Sequence, residues 1–147
     1  MSGATVPAEV TYTATVRVSG GRGGTARSLT GTLRVDLTRP AQRGPDAPGT
    51  DPEELFAAGY AACFDSALAV AARQEGVRTG STSVTASVSL RPTGDGRYAI
   101  AVALAVSAPD CPQGDLERAV AAADRLCPYS NALRGNTAVT IRADGHQ

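Results

Sequence analysis

DPEELFAAGYAACFDSALAVAARQEG, residues 51–76, is the stretch that decides the fold. Asp51 is an acidic N-cap, Pro52 suits the first helical position, and Glu54 stands at the third, within reach of the cap. The pattern predicts a helix running to about Glu75. Residues 55–72 are small or apolar on nearly every side, and a helix apolar all round must be enclosed by other structure. This is the expected core helix. Asp65 and Ser66 at its centre, with its many alanines, suit a buried helix better than a bilayer span, so no membrane segment is expected. A chain of 147 residues can hardly sheathe such a helix alone, which predicts a dimer that buries it between subunits.

On the N-terminal side, Val10, Tyr12, Ala14, Val16 and Val18 alternate with polar residues, the period of a half-buried first strand. Gly20, Gly21, Gly23 and Gly24 bracket Arg22 in a turn where a backbone or ligand can approach closely. Further strands are read over about 26–30 and 33–37, before a loop over 39–50 with three prolines. On the C-terminal side, Val84, Ala86, Val88 and Leu90 alternate, Thr93-Gly94-Asp95-Gly96 turns, and 98–106 runs back with large residues at even positions, a hairpin. Leu116, Ala119, Val120 and Ala123 have helical spacing behind a possible Asp115 cap, and Pro128 stops that helix just past Cys127. A short strand over 138–142 follows. Elements in this order do not repeat as strand-helix-strand units, so a single α+β domain over 1–147 is expected, mainly antiparallel, with loose tails at about 1–8 and 143–147.

Composition narrows the chemistry. Acids and bases balance at 14 each, which offers no basic footprint for nucleic acid. Every basic residue is arginine, and without lysine there can be neither a Schiff base nor a lysine-dependent phosphate loop. The one histidine, His146, is penultimate, so triads and histidine metal cages have no donor and no metal site is expected. The start has neither a basic leader nor a long apolar stretch, so a cytoplasmic location is expected. Three cysteines in a reducing compartment are not a disulfide framework and are judged singly. Cys63 lies among alanines on the core helix, and Cys127 comes seven residues after Val120 on the apolar stripe of the second helix, so both thiols point inward and could meet. Cys111, between Asp110 and Pro112, reads as an incidental loop thiol.

These residues resemble the organic hydroperoxide resistance (Ohr) family of thiol peroxidases, in the superfamily shared with the osmotically inducible OsmC proteins. The resemblance is carried by Tyr12-Thr13-Ala14 with Gly20-Gly21-Arg22, by Pro52-Glu53 and Leu55 to Tyr60, by Ala62-Cys63-Phe64, and by Cys127-Pro128-Tyr129-Ser130-Asn131 with Arg134-Gly135-Asn136. The run before Cys63 and Tyr129 after Pro128 are similar to the organic hydroperoxide branch; Ala132-Leu133 is similar to the OsmC branch. The balance favours the former. The resemblance implies an OsmC-like α+β fold, antiparallel sheets wrapped around a long central helix and a second helix, in an intertwined homodimer with its active sites at the interface. It implies Cys63 as the peroxidatic cysteine, Cys127 as the resolving one, and Arg22 with Glu53 as the pair that organises the reactive thiol. It implies no bound cofactor, and a dithiol co-substrate such as dihydrolipoamide or a lipoylated protein. Cys111 matches nothing in the motif.

The chemistry is coherent in physical terms. Burial among alanines raises a thiol's pKa above its usual 8.5 or so, and a compensating cation is needed. Arg22 can supply a planar, permanently charged fork that holds a thiolate and the Glu53 carboxylate together. Phe56, Tyr60, Phe64 and Tyr129 would wall an apolar pocket that favours the carbon tail of an organic peroxide. Two other readings use the same residues: an OsmC-type peroxidase of broader range, and a dimer that binds an apolar ligand without turnover. One constraint is geometric. Glu53 and Cys63 are ten residues apart, about 15 Å along a continuous helix, so either the helix breaks near Gly59 or the Glu53 serving a given Cys63 comes from the partner subunit; the second is favoured. Cys127, at a helix end, is expected to make the resolving movement.

Overall fold

Helix α1 spans Pro52–Glu75 without interruption, with proline at its start and Glu53 and Glu54 in its first turn, where carboxylates complement the helix dipole. Its buried residues Tyr60, Phe64, Ala67, Leu68, Ala71 and Ala72 recur at three- and four-residue steps along one stripe. On the other side Ala58, Ala62, Ala69 and Val70 are exposed in the single chain, Val70 at 39%. By length and composition alone α1 could cross a membrane. Asp65 at its centre accepts a hydrogen bond from the Thr82 hydroxyl at 2.6 Å.

In this computed structural model residues 9–147 are described; the tail expected at 1–8 lies outside them. The chain divides into two compact units, one ending at Asp51 and one over Pro52–Gln147. The first unit holds strands β1 (Val16–Ser19), β2 (Thr25–Ser28) and β3 (Arg34–Asp36) as an antiparallel sheet in that order. β1 is shorter than the alternation over 10–18 suggested, because a strand needs a partner row and β2 offers only four residues. Asp51, read as a cap, is buried and accepts an ion pair from Arg43.

In the second unit, β4 (Ser83–Pro92) and β5 (Tyr98–Pro112) form the expected hairpin, with Ala86 opposite Leu104 and Leu90 opposite Ile100. The chain then passes through α2 (Gln113–Leu126) and α3 (Pro128–Leu133) to β6 (Val139–His146). β6 pairs with the other edge of β5 in parallel, Val102 to Val139 and Leu104 to Ile141, so this sheet is mixed rather than purely antiparallel. A helical crossover between neighbouring strands enforces the parallel direction. α1 packs on β4 and α2, and α2 on β6. Val102, Leu104, Val106 and Ala108 of β5 supply the sheet side of the core.

Several local expectations are corrected. β5 continues to Pro112, so Cys111 is a strand residue at 0% exposure rather than a loop thiol, and burial pushes its thiol pKa up. Asp115 is no cap; it sits in the first turn of α2 and pairs with Arg118 at 2.8 Å. Residues 143–146 belong to the ladder rather than to a loose tail, because Gln113 fastens them: its amide donates to the Ala143 carbonyl at 2.8 Å, and its oxygen accepts from Gly145 N–H at 2.6 Å.

Two predictions follow from this packing. Arg17, Arg27 and Arg34 face one another directly across β1, β2 and β3, all exposed, and like charges in register repel. Arg27→Glu places an opposite charge between two cations and should raise the unfolding free energy from urea titration at low salt by a few tenths to about 1 kcal/mol, with the gain fading at high salt. Cys111→Ser puts a hydroxyl into the core in place of a weakly polar thiol. It should lose about 1–3 kcal/mol in urea titration without a change in the folded-state circular dichroism.

Candidate active site

Two sulfurs meet where α1 crosses the junction of α2 and α3. Pro128 has no backbone N–H to continue α2, so Cys127 leaves helical geometry with φ −67 and ψ 120, and the proline becomes the first residue of α3. The sequence showed the stop; the restart six residues long was missed, although proline at a helix start was the available signal. Cys127 is consequently no free helix end. Its N–H donates to Ala123 at 2.8 Å and its carbonyl accepts from Asn131 N–H at 3.0 Å. Its thiol, at 0% exposure, lies 3.4 Å from Cys63 Sγ and donates towards it. Both are free thiols, and Cys63 is the half-buried one, open to approach from outside.

Burial is the main cause that pushes the Cys63 thiol pKa up, and the adjoining Cys127 sulfur adds to the rise because two negative sulfurs would repel. The backbone N–H of Tyr129, in the first turn of α3, opposes this by bonding to the Cys63 sulfur. Within this unit, therefore, Cys63 favours the thiol over the thiolate.

Three rings pack against one another between α1 and α3. Phe56 meets Tyr60 edge-on at 6.3 Å between centroids, Phe56 meets Tyr129 at 5.9 Å, and Tyr60 meets Tyr129 at 5.7 Å. Phe56 is half-buried and Tyr129 is 38% exposed, so these two present ring surface outward. Tyr60 and Phe64 are both at 0% exposure; Phe64 belongs to the core, and Tyr60 backs the wall. The Tyr60 hydroxyl bonds to Ser130 Oγ at 2.6 Å, and burial raises its pKa against the opposing effect of that bond. Gly59 has its own reason: a Cβ there would lie 2.8 Å from the Tyr129 hydroxyl oxygen and 3.3 Å from the ring. Neither Ser130 nor Gly59 could be assigned from spacing, since a serine in a first turn and a glycine within a helix have no pattern of their own.

Arg22 belongs to the first unit, in a 3-10 turn over Gly21–Gly23. Gly24 makes that turn possible, because a Cβ on it would fall 1.7 Å from the Ser19 carbonyl oxygen. Glu53 occupies the first turn of α1. Since α1 runs unbroken through Gly59, the helix break considered above does not occur, and Glu53 stays about 15 Å along the axis from the Cys63 of its own chain. Arg134 ties α3 to α2, donating to Asn131 Oδ1 at 2.6 Å and to the Asp124 carbonyl at 2.9 Å. Among the described residues no group of three or more His, Cys, Asp or Glu could hold a metal ion.

Comparison with known proteins gives the class to which this fold of helices on a mixed sheet belongs. The family model described as OsmC-like protein matches residues 44–142. Organic hydroperoxide resistance protein OhrA of Bacillus subtilis is 44% identical over 135 residues, 88% of this chain and 94% of its own. The organic hydroperoxide resistance protein of Xanthomonas axonopodis pv. citri is 40% identical over 137 residues, 92% of this chain and 96% of its own. Among solved structures, OhrB of Bacillus subtilis superposes with a TM-score of 0.84 at 37% identity, covering 91% of this chain and 99% of that one. The chain belongs to the organic hydroperoxide resistance family, within the OsmC-like proteins.

The Gly59–Tyr129 approach is testable by a double-mutant cycle. Gly59→Ala in a Tyr129→Phe background should stabilise the helix by about 1 kcal/mol, the usual advantage of alanine over glycine. With Tyr129 intact, the same change should lose that gain, because the hydroxyl oxygen must move away from the new methyl. Equal effects in the two backgrounds would mean the contact is unimportant.

Proposed function

We propose that this chain is a thiol-dependent peroxidase that reduces organic hydroperoxides to alcohols in defence against oxidative stress. The observation that carries the reading is the 3.4 Å separation of Cys63 Sγ, half-buried, and Cys127 Sγ, fully buried. An outer thiol accessible to substrate and an inner one accessible to the first is the arrangement a two-thiol cycle needs. In the first step the Cys63 thiolate attacks the terminal oxygen of ROOH. The S–O bond forms, the O–O bond breaks, and the alkoxide leaves as ROH on taking a proton. In the second, Cys127 attacks the sulfenic sulfur, the S–O bond breaks, and water leaves with the Cys127 proton. The resulting disulfide is returned to two thiols by a dithiol donor, for which we propose dihydrolipoamide or a lipoylated protein.

Four features support the finer parts of the proposal. The rise in Cys63 pKa calls for a cation, and Arg22, on a glycine-shaped turn, is the one we assign, with Glu53 orienting it. The continuous α1 separates Glu53 from the Cys63 of its own chain, which supports a site completed by a second subunit in a homodimer. The exposed small-residue face of α1 at Ala58, Ala62, Ala69 and Val70 is apolar surface that such a partner would cover. On the substrate side, ring surface of Phe56 and Tyr129 rewards an alkyl or aryl tail at roughly 25 cal/mol per Å² buried, which hydrogen peroxide cannot match. A cytoplasmic setting, which keeps the thiols reduced between cycles, completes the proposal.

One equivalent of cumene hydroperoxide should convert the wild type to a Cys63–Cys127 disulfide within one chain. Cys127→Ser should react once and stall as sulfenic acid, Cys63→Ser should not react, and the specificity constant for hydrogen peroxide should be far below that for the organic peroxide. A Cys63–Cys111 bridge, or equal constants for the two peroxides, would overturn the reading. Subunit sharing is checked separately: mixing Glu53→Ala chains with Cys63→Ser chains should regenerate one complete site per heterodimer, and so restore about half of wild-type activity per heterodimer. A mixture as inactive as its parents would exclude it.

A further inference from the structure

The hydrogen bond between the Tyr60 and Ser130 hydroxyls is buried beside an apolar core, where two desolvated hydroxyls give little net stability. Its placement gives it another use. Tyr60 precedes Cys63 by three residues on α1, and Ser130 follows Cys127 by three residues at the start of α3. Positions three apart share a helix face, so the two pairs form neighbouring rungs between the same elements: oxygen to oxygen at 2.6 Å, sulfur to sulfur at 3.4 Å. α3 has six residues and is too short to hold its own position. Arg134 and Asn131 tie it to α2, the latter by its side-chain amide to the Arg125 carbonyl at 3.2 Å. The Tyr60–Ser130 bond ties it to α1, the helix that carries Cys63.

We propose that Ser130 is a positioning residue for the second half of the thiol cycle: through its bond to Tyr60 it holds Cys127 within reach of Cys63. The assignment rests on the two-thiol reading above. Disulfide closure brings the sulfurs from 3.4 Å to about 2.05 Å, and its rate follows the fraction of time Cys127 spends on the approach path. The first step, attack of Cys63 on the peroxide, forms no bond to Cys127, and moving α3 weakens together the Tyr129 N–H bond that favours the thiolate and the Cys127 contact that disfavours it, two effects of opposite sign. Loosening α3 from α1 should therefore slow resolution more than the first step. The hydroxyl pair borders a cavity of about 210 Å³ shared with Asp124 and Arg134. That is room for water to satisfy whichever hydroxyl is orphaned, so single variants should fold.

The test follows both steps in full-length protein after one equivalent of tert-butyl hydroperoxide. Sulfenic acid is read by a trapping reagent and the Cys63–Cys127 disulfide by quenched-flow alkylation and mass. Ser130→Ala should form sulfenic acid at about the wild-type rate but close the disulfide about tenfold more slowly, with more over-oxidised Cys63 at excess peroxide. Tyr60→Phe removes the same bond and should slow closure by a similar factor. The double variant should be no slower than either single one, and Ser130→Thr, which keeps a hydroxyl, should restore most of the rate. Closure at the wild-type rate in Ser130→Ala, or equal slowing of both steps, would overturn the assignment. A wild type that forms no Cys63–Cys127 disulfide would instead remove the two-thiol reading beneath it.

Discussion

The continuity of α1 is the constraint on which the rest of the structure depends. One unbroken helix of 24 residues carries the carboxylate of Glu53 in its first turn, the glycine that admits Tyr129 in its second, and Cys63 in the turn after that. Because the rise per residue is fixed, these groups cannot trade places. The thiol must find its neighbours across the helix, among residues that pack on the Tyr60–Phe64–Leu68 stripe. The elbow between α2 and α3 provides one, Cys127.

The elbow is a product of proline chemistry. Pro128 ends one helix by lacking an N–H and opens another by having φ already set, and the residue before it is held in extended geometry between the two. An extended residue braced by hydrogen bonds on both sides presents its side chain with less freedom than a fraying helix end. Cys127 was expected to be mobile for being terminal. It is instead braced, with a little more than 1 Å between its present distance from Cys63 Sγ and a disulfide bond length.

Electrostatics pulls against this arrangement. Enclosing Cys63 among apolar groups and a second sulfur keeps its proton on, while the proposed attack on a peroxide needs it off. The Tyr129 N–H recovers part of the difference within the unit, and a guanidinium would recover more. The second unit holds both sulfurs, while the unbroken α1 keeps Glu53 about 15 Å along the axis from the Cys63 of its own chain.

The sequence by itself determined the elements whose signals are local. The extent of α1 to Glu75, the hairpin of β4 and β5, the glycine turn under Arg22 and the helix of α2 all follow from periodicity and from the backbone preferences of glycine and proline. The motif residues around Cys63 and Cys127 were legible through their resemblance to a known family, since alanine surroundings alone suit a buried cysteine of no special use. What only the tertiary structure decided was every property that depends on a partner distant in the chain. The strand alternation over 10–15 came to nothing for want of a neighbouring row, whereas 143–146, which reads as polar tail, became ladder because Gln113 and β5 lie alongside. Cys111 is buried through the length of β5, a matter of pairing on two edges and not of its flanking Asp110 and Pro112. The Tyr60–Ser130 bond joins residues 70 positions apart, and a hydroxyl's use is set by which acceptor the fold brings to it, which no local pattern encodes.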